Sequence, residues 1–331
     1  MATTTLPANG SKNFFRSLRI PPVYYFLVVV FVGGAILDFI FADGQMVTNP
    51  AILTNIFVRS VALGIVAVGQ TFVMIGASID LSVALVISVT AVMTSFIMNG
   101  QTENVPKAIA VVFLIGAFTG LVNGLIITKL KVNAFIATLG TTLILRGVLN
   151  ATFANFKGSI PRSFEYFGYG RIGPIPVSIL VLLVVVLAGW FVLARTRYGF
   201  QLYGTGGSSE VARLSGLRTD RVIIIAHIIC SMTAVLTGLF VVSRLRAGAP
   251  WIGTDGVYDL ESVATTVIGG TALAGGRGGV WGTLGGVLIF GVLDTLFNQL
   301  GINPFMKNIL RGLIIILAVA SYTIRSKREA A

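Results

Sequence analysis

Long apolar runs separated by short polar stretches dominate the chain. Read by window and break, they predict ten helical spans. These are roughly Pro22–Phe41, Ala51–Ile75, Leu81–Met98, Ala108–Thr128, Ala134–Phe153, Pro176–Ala194, Val222–Ser243, Leu260–Ala274, Val280–Leu300 and Asn308–Tyr322. Most are about 18–25 residues long, enough to cross a hydrocarbon core ~30 Å thick. The first run is too long for the apolar part of a signal peptide and lacks a clear small-residue cleavage site after it, so it is read as a retained span. The eighth is short and flanked by glycine, which leaves a broken or re-entrant helix open. The expected fold class is an all-α polytopic membrane protein with about ten transmembrane segments, at least one of them broken or re-entrant.

Composition agrees. Of the 331 residues, 55% are hydrophobic and 11% charged, against ~25% charged in soluble domains. A soluble protein so poor in charge could not cover its own surface. The net charge of +12 does not point to nucleic acid, because the charges sit singly or in small groups between apolar runs, with no basic helix face. A single cysteine, Cys230, excludes an intrachain disulfide framework and any multi-cysteine metal site. With the N-terminus inside, fourteen of the 24 lysines and arginines fall on inner segments and seven on outer ones. Lys and Arg are retained on the cytoplasmic side, so both termini are expected there. The expected organisation is a cytoplasmic tail over 1–21, one transmembrane domain over 22–324 and a cytoplasmic tail over 325–331. Neither the outer loop 155–175 nor the inner segment 195–221 could bury a core of its own. Any energy supply must come from partners.

Several segments carry chemistry. Gly116, Gly120 and Gly124 form one stripe that lets another helix approach closely. Gly76–Val83 places Asp80 and Ser82 between two apolar runs; Asp80 is either a functional intramembrane acid or a cap for the next helix, and both can hold. The glycines of 268–282 have no Gly-Lys-Ser/Thr after them and no strand before them, so they are read as a tight turn between half-helices, not a phosphate loop. His227 and Cys230 sit three apart, with no further metal ligand evident on that face. Arg59, Arg146 and Arg311 within spans are expected to pair in the bundle or snorkel. On the inner segment, Gly206 and Gly207 read as a flexible bend. Ser208 or Ser209 then caps a short helix through Leu214, with Glu210 in its first turn and Gly216 past its end. That helix is either a structural elbow or a docking surface.

From about Ile52 to Ile324 the chain resembles the permease subunits of ATP-binding-cassette importers for ribose, xylose, galactose and related monosaccharides. The resemblance rests on Gly69–Val83 (GQTFVMIGASIDLSV), Asn123–Thr141 (NGLIITKLKVNAFIATLGT), Arg195–Leu217 and Val263–Gly286 (VATTVIGGTALAGGRGGVWGTLGG), in order and spacing. The chain departs from the family pattern at Ala77, Ser78, Ala84 and Ser208. The resemblance implies a bacterial inner-membrane importer that pairs with a second permease copy or a sister permease. Its other partners would be a periplasmic sugar-binding protein and cytoplasmic ATP-binding subunits. ATP and magnesium would be held by those subunits, and this chain would bind no cofactor, metal or nucleic acid and break no bond. Gly206, Gly207, Ser208, Ser209, Glu210, Val211, Ala212, Arg213, Leu214, Ser215 and Gly216 match the loop that couples to the ATPase. Asp80, Ser82, Asn123, Asn133 and Glu261, polar groups near helix breaks, are the candidates for the solute pathway. The competing class is an ion-coupled transporter or channel, but Asp80, Glu261 and Asp294 are scattered along the sequence. An intramembrane enzyme would need a nucleophile–base or metal constellation that the sequence lacks.

Overall fold

The computed structural model describes residues 21–42 and 44–316. Nearly all of the two expected tails, and the last expected span beyond 316, lie outside the described residues. The helices run α1 (Pro22–Phe41), α2 (Gln45–Thr48), α3 (Pro50–Ile75), α4 (Val83–Met98), α5 (Val105–Lys129), α6 (Ala134–Thr152) and α7 (Arg162–Tyr169). A two-residue antiparallel ladder, β1 (Arg171–Ile172) with β2 (Ile175–Pro176), precedes α8 (Val177–Arg195), α9 (Arg197–Gly207) and α10 (Ser209–Leu214). Then come α11 (Thr219–Leu245), α12 (Ile252–Asp255), α13 (Tyr258–Ile268) and α14 (Val280–Gln299), and residues 304–316 are helical.

Local chemistry sets the helix starts. Asn49 accepts from the Ala51 N–H at 3.0 Å ahead of Pro50, whose fixed φ suits a first helical position. Asn133 caps α6 through Phe135 N–H, and Thr196 caps α9 through Gly199 N–H. α3 and α11 pack against each other at the centre, with α4, α5 and α14 around them. The outward faces of α1, α5, α6 and α8 are apolar and exposed, for example Phe39, Leu114, Ile144 and Val184. Such a belt is untenable in water and suits lipid.

The glycine stripe does what its spacing predicts. A methyl at Gly120 would stand 2.6 Å from the carbonyl oxygen of His227, and one at Gly124 would stand 2.7 Å from the Cα of Ile224. The backbones of α5 and α11 therefore touch, and this contact carries Asn123 into the centre of the bundle.

The described residues show the expected all-α polytopic class and part of the expected set of about ten segments. Among the described residues, seven helices are long and apolar enough to cross a membrane: α1, α3, α5, α6, α8, α11 and α14. α4 has 16 residues and α13 only 11, or ~24 and ~16 Å at 1.5 Å per residue. The eighth expected span is thus a half-helix, α13, followed by a glycine turn that leads into α14. This is the broken-helix alternative that the flanking glycines left open. Gly270, Gly275, Gly276 and Gly278 all take positive φ, where a helix cannot continue.

Candidate functional site

α3 and α4 run in opposite senses along α11 and are joined by a non-helical turn at residues 76–82: Ala62, Gly69 and Gly76 meet Thr237, Cys230 and Ile223, whereas Asp80 and Thr90 meet His227 and Gly238. Ala77, at φ 58, turns the chain out of α3, and Ser78 N–H returns to the carbonyl of Val73 at 3.1 Å. Unwound backbone within a membrane must find partners inside the protein, and here side chains supply them. Gln70, with its amide set to satisfy both atoms, donates to the Asp80 carbonyl and accepts from the Asp80 N–H, each at 3.2 Å. Thr138 of α6 accepts from Leu81 N–H and Thr142 donates to the Leu81 carbonyl, both at 3.2 Å.

The Asp80 side chain anchors a longer network. Its Oδ1 accepts from the Ser82 N–H at 2.9 Å and the Ser82 hydroxyl at 2.6 Å. Its Oδ2 lies 3.2 Å from His227 Nδ1 on α11. An ionised carboxylate can only accept, so Nδ1 donates, and Nε2 pairs with the Ser78 hydroxyl at 2.9 Å. Asn123 on α5 donates to Ser82 Oγ at 2.9 Å and accepts from Thr141 on α6 at 2.6 Å. Asp80, Ser82, Asn123 and His227 are fully buried. One hydrogen-bonded chain therefore ties the break to three separate helices.

Three of the five pathway candidates, Asp80, Ser82 and Asn123, are brought together in this network. Asp80 is not a cap of α4 in the expected sense. Its carboxylate takes the N–H of Ser82, which precedes the helix, and no side chain bonds the first turn of α4 through its cap residue. Sequence reasoning set His227 aside for want of further ligands, and gave Ser78, Gln70 and Thr141 no role in the site. The one available signal was that His227 is the sole histidine of the chain and sits in an apolar run. Serine, imidazole and carboxylate stand in the order of an acyl-transfer triad, but they are sealed from solvent and brace the break.

The other two candidates lie elsewhere. Asn133 is exposed and its Oδ1 accepts from Phe135 N–H at 2.9 Å as the cap of α6. Glu261 belongs to a separate charged group. Arg311 donates to Asp294 at 2.8 Å, Arg59 donates to the other Asp294 oxygen at 2.9 Å, and Arg311 Nε lies 3.3 Å from Glu261 Oε1. That last pair is close but not aligned for a hydrogen bond, so Glu261 Oε1 is left without a donor. Arg59 and Arg311 thus pair as expected of in-span arginines. Arg146 makes no ion pair among the described residues and is exposed on α6.

At one end of the bundle, α9 and α10 form an elbow. Ser208 turns between them and accepts from Val211 N–H at 3.3 Å, capping α10 over the range expected from sequence. Gly216, at φ 82, closes it. Ala212 faces inward at 5% exposure, whereas Val211 and Leu214 stand out at 62% and 84%. Ser209, Glu210, Arg213 and Ser215 are also exposed. The expected flexible bend at Gly206 and Gly207 is corrected: both glycines are in the last turn of α9, and Gly206 is buried. Close packing, described below, holds that turn in place.

A family model described as the permease component of branched-chain amino acid transport systems matches residues 52–319. The chain is 38% identical over 275 residues to the ribose import permease of Escherichia coli strain K12, covering 81% of this chain and 84% of that protein. It is 35% identical to the ribose import permease of Bacillus subtilis, covering 82% and 86%. The galactose/methyl galactoside import permease of Haemophilus influenzae is 31% identical, with 95% and 97% covered. No solved structure matches the chain. With its apolar helices and the unwound turn between α3 and α4, the chain belongs to the family of permease subunits of ATP-binding-cassette importers that includes the ribose and galactose import permeases, and it is a transport component, not an enzyme.

Proposed function

We infer that the chain is the membrane permease of an ATP-driven importer for a monosaccharide or related small polyol, resident in a bacterial inner membrane. The observation that carries this is identity to ribose import permeases over four fifths of the chain. In this account a periplasmic binding protein delivers the sugar to a dimer of permeases, the second member being another copy or a sister chain. Cytoplasmic subunits hold ATP and magnesium and drive alternating access. The Lys/Arg distribution supports cytoplasmic termini, and with them a cytoplasmic position for α9 and α10.

Residues 206–216 form the coupling segment. Two large apolar side chains pointing out of a six-residue helix at an aqueous face have no intramolecular purpose, and they suit a groove on the ATPase. Arg213 and Arg218 at the rim orient the encounter more than they strengthen it. Along the pathway, Asp80, Ser82 and Asn123 act by fixing the α3–α4 break. Glu261 acts with Arg311 in a separate charged group, and Asn133 fixes the entry of α6. Changing Val211 and Leu214 together to Asp should leave the permease inserted and its unfolding unchanged while the ATPase no longer co-purifies. A double variant that retains the ATPase and imports at the normal rate would rule out this coupling segment.

A further inference from the structure

Three backbones meet where α3 ends. The Ile75 carbonyl, one of the last carbonyls of α3, accepts from the Gly276 N–H at 2.9 Å, so the glycine turn before α14 completes the end of α3. The last turn of α9 is wedged into the same point. A Cβ on Gly206 would fall inside the envelope of the Ile75 carbonyl oxygen and 2.7 Å from Gly276 N. A Cβ on Gly275 would stand 2.7 Å from the Gly206 carbonyl and 2.6 Å from the Ala77 methyl. One on Gly276 would stand 2.7 Å from the Cα of Gly207. Tyr203, one turn earlier on α9, donates to the Gly278 carbonyl at 2.9 Å. At the joint itself the close contacts are made by backbone atoms and the Ala77 methyl, none of which can change rotamer to absorb a displacement.

We propose that Gly206 and Gly276 are the positioning residues of a transmission joint, in which the end of α9 bears at once on the break after α3 and on the turn before α14. The proposal rests on the assignment of α10 as the coupling helix and adds how its movement reaches the membrane. Ser208 alone separates α9 from α10, and Asp80 lies five residues beyond Ile75. A shift of α10 therefore moves α9, and α9 has nothing compressible against either helix interruption. Backbone-to-backbone contact also explains why both residues are glycine: closely packed interiors respond to added methyl groups by backbone shifts. Gly204, on the same helix, is the contrast, since its nearest neighbour would be an ordinary 3.8 Å from an added Cβ.

The test uses the full importer of permease, ATPase and binding protein in proteoliposomes, with labelled ribose as the probe. Gly206→Ala is expected to insert and retain the ATPase, yet lose about tenfold or more of import per ATP hydrolysed, as strain at the joint breaks transmission. Gly204→Ala should stay within about twofold of the parent, because its one new contact, with Leu217, lies at an ordinary van der Waals distance. Tyr203→Phe, which removes one hydroxyl, should lower import per ATP measurably while leaving ATPase association intact. Normal coupling in Gly206→Ala overturns the joint. Loss of the ATPase from Gly206→Ala also overturns it, by making the residue part of the docking surface. If Gly206→Ala fails to insert, Tyr203→Phe decides: unchanged import per ATP refutes the joint. Failure of the coupling-helix assignment itself looks different, since the Val211 and Leu214 double variant would then keep both ATPase and transport.

Discussion

Replacing Asp80 by alanine strands two donors that cannot turn elsewhere, the Ser82 N–H and the His227 Nδ1–H, now bonded at 2.9 and 3.2 Å. The Ser82 hydroxyl can rotate and is not counted. A buried donor left without an acceptor costs ~1–3 kcal/mol, so the variant, with two, should lose about 2–6 kcal/mol. Asp80→Asn should cost less, about 1–2 kcal/mol, because Oδ1 remains and His227 can accept from the new amide in its other tautomer. The sharper test is the double-mutant cycle with His227→Ala. Once the imidazole is gone its donor is no longer stranded, so the pair should be less damaging than the sum of the singles by ~1–3 kcal/mol. Equilibrium unfolding by SDS in mixed micelles, followed by tryptophan fluorescence, reads this out. Additivity within about 0.5 kcal/mol would show that the two side chains do not act as a unit.

Asn123→Ala removes the bridge between Ser82 and Thr141 and should destabilise by ~2–3 kcal/mol with reduced uptake, whereas Asn133→Ala should cost only the ~1 kcal/mol of a helix cap; paired unfolding curves compare them. Gly120→Ala should destabilise by ~1–3 kcal/mol as α5 is pushed off α11, and Gly140→Ala, which meets no atom within 4 Å, should not; thermal unfolding of the two variants separates packing from helix propensity. Asp294→Asn unpairs Arg59 and Arg311 at once and should weaken the bundle more than Arg59→Gln, which is the more exposed partner; equal effects by the same measurement would show that the group has no centre at Asp294.

Helix positions were largely legible in the sequence because each is set by a local signal. The first span ends at the same two residues in sequence and structure, and the six-residue α10 is framed by Ser208 and Gly216 as capping chemistry requires. Partners across the bundle were not legible. Nothing local links Asp80 with His227, 147 residues away, and the network exists only because the glycines of α5 admit α11 so closely. The same limit explains Gly206. Sequence presents Gly206 and Gly207 as a flexible pair, but flexibility is a property of glycine in open space. Here the missing side chain is what lets three backbones touch. The half-helix α13 was legible as an alternative, because the glycines after it signal a turn, and their positive φ ends the helix there.

Reconstitution tests the central claim most directly. Proteoliposomes holding the permease, its ATPase and a ribose-loaded binding protein should accumulate labelled ribose when ATP is supplied to the face that carries α10, and should stop when the ATPase is omitted. Uptake that proceeds without ATP and without the ATPase, driven by an ion gradient or by the sugar gradient alone, would contradict the account.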